Sequence, residues 1–144
     1  MSQENVELVQ GLMLGPDVDI APLFRDDDAW EAVLAGVADL IHPDFKCAST
    51  LLGIEREYVG VEGFRAFWLD WLAPWESYRT ETEEITDLGD EVLQFAIEFG
   101  RRPGATAEAR GDNASVWTLR EGKVIRFHGY SARAEALRAV GLAE

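Results

Sequence analysis

The sequence predicts an α+β domain, on three observations. In the first half apolar residues recur at helical spacing. After Pro74 the period changes from 3.6 to 2. In the second half, tight-turn signals at Leu88-Gly89-Asp90-Glu91 and Glu121-Gly122 separate alternating segments, the order of an antiparallel meander. Helices first and strands afterwards make segregated α+β layers.

Each element has its own local reason. Residues 3–13 read as a short helix with Val6, Val9 and Met13 on one stripe, ended by Gly15-Pro16-Asp17. A second helix follows Asp26-Asp27-Asp28, whose carboxylates can cap free N–H groups and oppose the helix dipole. It carries Trp30, Leu34, Val37 and Ile41 on one stripe, and Pro43 stops it. His42 then falls at a helix end, where a cation is favoured. A short strand is expected over 44–50. The third helix shows the strongest period, with Phe64, Phe67, Trp68, Trp71, Leu72 and Trp75 on one apolar stripe. Strands are expected around 78–87, over 93–99, over 106–119 and over 123–131, with Pro103-Gly104 as a break. A last helix over 132–140 ends at Gly141.

Two further readings follow from alternation. Leu93, Phe95, Ile97 and Phe99 form the apolar face of their strand, which puts Glu98 on the opposite face. With Glu121-Gly122 as a two-residue turn, Trp117 is expected to face Arg126, Val116 to face Phe127, Ser115 to face His128, and Asp112 to face Ser131. Arg110, Asp112, Ala114 and Val116 would then share the interior face with Phe127. Trp117, His128 and Tyr130 would make an aromatic outer face suited to a second copy of the chain.

Composition limits the function classes. The 144 residues, 16.0 kDa, fit one domain spanning 1–144 at roughly 100–200 residues per domain. Thirteen Lys and Arg against 27 Asp and Glu leave a net charge of −14, which repels phosphate backbones and anionic membrane surfaces. No nucleic-acid or membrane partner is therefore expected. The lone Cys47 cannot form an intrachain disulfide, and Glu4 and Glu7 stand where a signal peptide carries positive charge. A cytoplasmic protein is the expectation. No phosphate loop, dinucleotide fingerprint or metal-ligand spacing is present, so no cofactor and no metal are expected.

The strings along the chain resemble a known family. The opening Met1-Ser2-Gln3-Glu4-Asn5-Val6-Glu7-Leu8-Val9 is similar to the start of many actinobacterial SnoaL-like proteins. So are His42-Pro43-Asp44, Tyr58-Val59-Gly60 with Glu62-Gly63-Phe64-Arg65, and Asp87-Leu88-Gly89-Asp90-Glu91-Val92. The most specific part runs Val116-Trp117-Thr118-Leu119-Arg120-Glu121-Gly122-Lys123-Val124, then Tyr130, then Arg133-Ala134-Glu135-Ala136-Leu137, ending at Gly141-Leu142. Only residues 14–28 look longer than usual. The resemblance, to the SnoaL-like group of the nuclear transport factor 2-like superfamily, implies a cystatin-like, cone-shaped α+β barrel: a curved antiparallel sheet wrapped around helices. It also implies homodimers through the outer sheet face. Its members include polyketide cyclases, ketosteroid isomerases, limonene epoxide hydrolases and non-enzymes, so fold alone names no reaction.

The family's catalytic patterns are largely missing. The isomerase-like carboxylate positions fall near Ser49 and Ala114, and neither can act as a carboxylate. The last strand, Phe127-His128-Gly129-Tyr130-Ser131-Ala132, holds none. The candidate polar pocket residues are therefore Arg110, Asp112 and Ser49. Trp30, Phe64, Trp68, Trp71, Phe95 and Phe127 are the candidate lining for a small hydrophobic molecule, since Trp is bulky and rigid. Two functions follow as expectations. One is a pocket protein that binds such a molecule, or transforms it without a cofactor as a hydrolase, isomerase or cyclase. The other is a non-catalytic dimeric module working through Trp117, His128 and Tyr130.

Overall fold

A computed structural model describes residues 2–49 and 57–142. The chain begins with helix α1 (Ser2–Leu12), then a one-turn helix α2 (Ala21–Arg25) and helix α3 (Asp27–Val37). A 3₁₀ turn at Ala38–Leu40 leads into strand β1 (Ile41–Ser49); after the undescribed segment come β2 (Tyr58–Val59) and helix α4 (Gly60–Leu72). The long strands β3 (Ser77–Asp87), β4 (Glu91–Arg101), β5 (Ala109–Arg120) and β6 (Lys123–Tyr130) follow, then helix α5 (Arg133–Ala139). The six strands form one curved sheet in the order β2-β1-β6-β5-β4-β3, with β1 and β6 parallel and the other neighbours antiparallel. No helix among the described residues is long and apolar enough to cross a membrane.

Local chemistry sets the element ends. Asp26 caps α3 by accepting the Ala29 N–H at 2.9 Å. Gly141, at φ +77°, ends α5 with its N–H on the Arg138 carbonyl and the Leu142 N–H on the Leu137 carbonyl. The turn between β5 and β6 has two residues, Glu121 at φ +56° and Gly122 at φ +75°, the left-handed pair that a type I′ hairpin needs.

The register beyond that turn differs from the expected one. Arg120 pairs with Lys123 and Leu119 with Val124, but Thr118 then pairs with Arg126 rather than Ile125. Ile125 is the extra residue of a β-bulge, and a slip of one reverses which side chains share a face. Trp117 therefore lies opposite Phe127, Val116 opposite His128 and Ser115 opposite Gly129. Three smaller differences accompany it. His42 sits in β1, not at a helix end, with Nδ1 accepting the Asp44 N–H at 3.0 Å. Residues 14–28 contain α2, which no apolar period announces. The strand expected over 44–50 is described to Ser49, and Thr50 lies outside the described residues.

Both faces of the sheet are covered, and this decides where the interior is. On the concave side, Phe67 of α4 is buried against Tyr58, Trp71 and Phe127, with ring centroids 5.6–5.9 Å apart. On the convex side, α5 sets buried Ala136 against Leu93, Ala114 and Val116. Phe95 and Phe99 lie on that convex face too, under the guanidinium groups of Arg133 at 4.9 Å and Arg79 at 3.9 Å. The more apolar face of β4 is thus the outer one. The inner face of β4 carries Gln94, Ala96, Glu98 and Gly100, whose small members leave room for aromatic side chains from α4 and its exit. Trp75, just past α4, lies flat on Gly100.

Candidate functional site

The cone interior holds a cavity of about 70 Å³. Its apolar wall is Phe67, Trp68 and Trp71 of α4 with Phe127 of β6; its polar side is Tyr78, Thr80, Gln94, Asn113 and Ser115. The polar groups are tied together. Tyr78 donates its hydroxyl to Glu98 Oε2 at 2.5 Å, and the Asn113 amide donates to the same oxygen at 3.1 Å. The other carboxylate oxygen lies beside Gly111, 3.1 Å from where a β-carbon would stand, so a side chain there would crowd Glu98. A second chain of bonds runs from Trp117 Nε1 to Gln94 Oε1 at 3.0 Å and from Gln94 Nε2 to Thr82 Oγ1 at 2.8 Å. Gln94 and Asn113 are buried, and these bonds satisfy them.

Tyr78 is held from behind by the segment that the sequence shows as unusually long. Asp19 Oδ1 accepts the Tyr78 N–H at 3.0 Å, and Ile20 donates to the Tyr78 carbonyl at 2.7 Å. Arg25 in turn donates to the Leu72 and Trp75 carbonyls at 2.6 and 2.5 Å, fixing α2 to the exit of α4. Burial, reinforced by the Glu98 charge and hydrogen bond, holds the Tyr78 phenol well above its usual range. Tyr78 is therefore a neutral donor at neutral pH.

The cavity abuts a larger groove of about 770 Å³ between the end of α1 and β3. Met13, Leu14 and Pro16 form one side and Thr80 to Ile85 the other, with Thr80 shared by both spaces. An apolar cavity with a few convergent polar groups and an open approach is the general form of a small-molecule site.

The candidate residues are distributed as follows. Trp68, Trp71 and Phe127 line the cavity. Ser49 is buried on the inner face, with Oγ 3.5 Å from the β-carbon position of Gly129, which lines the cavity. Trp30 instead packs on Phe24 at 5.4 Å, and Phe64 lies between Phe24 and Phe45 at 5.9 and 5.6 Å. Both belong to the packed core beside the cavity. Arg110 and Asp112 do share a face, but it is the outer one: Arg110 is exposed, and Asp112 is 64% exposed at 3.9 Å from Arg133. Phe95 is outer for the same reason. Trp117 is inner and 7% exposed, packed on Phe127 at 4.6 Å, because the bulge reverses it.

His128 and Tyr130 lie on the outer face with ring centroids 4.4 Å apart, beside a groove of about 370 Å³ near Val140. His128 Nε2 is enclosed without a hydrogen-bond partner, and burial followed by the Arg126 charge pushes the imidazole pKa down. In the unfolded chain the same group takes a proton near its ordinary pKa of about 6.5. A depressed folded pKa means stability is complete above that value and is lost as pH falls through the folded one. His128→Gln should therefore flatten the fall in urea midpoint between pH 7.5 and 5.5. An identical fall in both proteins would remove His128 as a cause.

Glu98, Tyr78, Asn113 and Gln94 were not candidates in the sequence. One signal was present: on β4 the polar Gln94 and Glu98 alternate with small Ala96 and Gly100 on the face opposite four large apolar residues. That is the face an aromatic-rich helix can approach. Cys47 is buried on the inner face, its thiol pushed up to about 12 by burial and then by Glu57, so it is no thiolate nucleophile. Among the described residues no three His, Cys, Asp or Glu side chains gather to hold a metal ion.

The family model for the SnoaL-like domain matches residues 25–127. The chain belongs to the SnoaL-like domain family. Solved structures agree at the level of fold. The SnoaL-like domain resembles TerC co-crystallised with polyporic acid, at 19% identity and a TM-score of 0.65, over 96% of this chain and 98% of that one. It also resembles a protein from Jannaschia sp. CCS1 with the provisional name SnoaL-like polyketide cyclase, at 20% identity and a TM-score of 0.64, over 99% and 94%. A third is a ketosteroid isomerase-like fold from Catenulispora acidiphila DSM 44928 in complex with trimethylamine, at 17% identity and a TM-score of 0.61, over 94% and 93%. No curated protein matches the sequence. At these identities the likeness carries the fold, and the site must carry the rest.

Proposed function

We propose that this SnoaL-like domain binds a small, largely apolar molecule, with its body in the groove between α1 and β3 and one end in the cone. The observation that carries this is the convergence of Tyr78, Glu98 and Asn113 on an aromatic-walled cavity that abuts an open groove. Polyporic acid and trimethylamine, held by two proteins of the same fold, support a small-molecule reading. Any chemistry here would be proton transfer without a cofactor, with Glu98 as acceptor and Tyr78 as donor. A cytoplasmic setting goes with this reading, since the single Cys47 makes no disulfide within the chain.

Trp68 and Trp71 line the cavity, so tryptophan emission reports on it. Titration with 2-naphthol, a flat neutral probe, should change that emission saturably. Ser115→Phe, which fills the cavity, should weaken the probe at least tenfold, and Asp112→Ala on the outer face should leave it unchanged. No saturable response in the wild type, or one that Ser115→Phe does not alter, would end the proposal.

The outer face supports a companion reading, a homodimer, through the groove beside His128, Tyr130 and Val140. Sedimentation that finds only a 16.0 kDa species at every concentration would end it.

A further inference from the structure

We infer that the head group this cavity selects is cationic, a compact alkylammonium or protonated amine. The inference rests on the binding reading above and names its ligand class. Three independent features agree.

The first is the wall. Phe67, Trp68, Trp71 and Tyr78 surround the cavity at mutual centroid distances of 5.9–6.1 Å along Phe67–Trp71, Phe67–Trp68 and Trp68–Tyr78. Their interplanar angles of 31°, 84° and 64° present rings from several directions at once. A cation within about 6 Å of such rings is attracted by their negative faces, most strongly by Trp. An isolated apolar head gains area there but none of this electrostatic term.

The second is the charge inside. Glu98 stands one hydrogen bond behind the wall, holding Tyr78 and Asn113 through a single oxygen. No Lys, Arg or His lines the cavity or the groove. A ligand carboxylate would meet Glu98 with no counter-cation between them, and in a low-dielectric site that repulsion is large. An ammonium group instead supplies the missing opposite charge.

The third is the approach. The β3 side of the groove bears Glu81, Glu83 and Glu84. Arg79 pairs Glu81 and Arg133 pairs Glu83, while Glu84 has no ion pair among the described residues. On a chain of net charge −14 this approach draws cations in and turns anions away. The size of the cavity agrees: about 70 Å³ is room for a head of a few heavy atoms, given about 30 Å³ per liquid water.

A shape-matched series tests the charge alone: choline, 3,3-dimethylbutan-1-ol and 3,3-dimethylbutanoate, titrated calorimetrically into the full chain. Choline should bind at least tenfold tighter than the alcohol, with the carboxylate undetectable. Glu98→Gln should remove most of that preference while leaving the alcohol's affinity unchanged. If Glu98→Gln fails to fold, Trp71→Leu should cost choline more than it costs the alcohol. The inference is overturned if the alcohol equals or exceeds choline, or if the folded Glu98→Gln protein keeps the full preference. If none of the three binds while 2-naphthol does, the cationic head is wrong and the pocket stands. If 2-naphthol fails as well, both readings fall.

Discussion

Phe67→Ala is expected to be the most damaging single truncation in the chain, costing about 3–5 kcal/mol, the usual range for a buried Phe. Phe67 is 2% exposed and touches the rings of Tyr58, Trp68, Trp71 and Phe127. It joins α4 to β2 and β6 at the centre of the cone, so neither side can move to fill the gap without breaking a neighbouring contact. Against a total stability of about 5–15 kcal/mol the loss is large, and the melting temperature should drop by on the order of 10 °C. Phe67 is also a cavity wall, so the same change enlarges the site. Phe67→Leu, a milder truncation, should keep the fold while admitting a bulkier head group. A melting temperature within about 2 °C of wild type for Phe67→Ala would mean that α4 is not seated as described.

The second large effect is expected at Gly100. A β-carbon there would stand 2.5–2.8 Å from three carbons of the Trp75 ring, closer than real β-carbons come. The ring cannot easily retreat, because Arg25 holds the Trp75 carbonyl at 2.5 Å and the Arg102 guanidinium covers the ring at 5.5 Å. Gly100→Ala should therefore cost about 1–3 kcal/mol, as overpacking does. Gly36 is the control. It lies inside α3 with nothing within 4 Å of its β-carbon position, so Gly36→Ala should stabilise by up to about 1 kcal/mol through helix propensity. Equal effects at the two positions, read from urea unfolding, would show that Gly100 does not face Trp75. They would also undo the assignment of Glu98, two residues earlier on the same strand face, to the interior.

That assignment is where sequence and structure part. A strand reports its two faces through alternation, and β4 does so clearly, with Leu93, Phe95, Ile97 and Phe99 on one side and Gln94, Ala96, Glu98 and Gly100 on the other. Choosing the apolar side as the interior is sound when only one face is covered. Here α5 and two arginine side chains cover the convex side, so both faces are shielded and apolarity no longer indicates direction. Arg110 and Asp112 follow their partners Phe99 and Ile97 to the outside, and Glu98 takes the place they were expected to fill.

The sequence by itself determined what depends on neighbours in the chain. The helical stripe on α4, the Asp26 cap, the left-handed turn at Glu121-Gly122 and the Gly141 stop each have a local cause, and each is in place. The tertiary structure alone decided which face of each strand looks inward. One extra residue, Ile125, reverses β5 against β6 and carries Trp117 from the surface into the core. No local propensity marks that bulge, because its benefit lies in curving the sheet around helices that are distant in sequence.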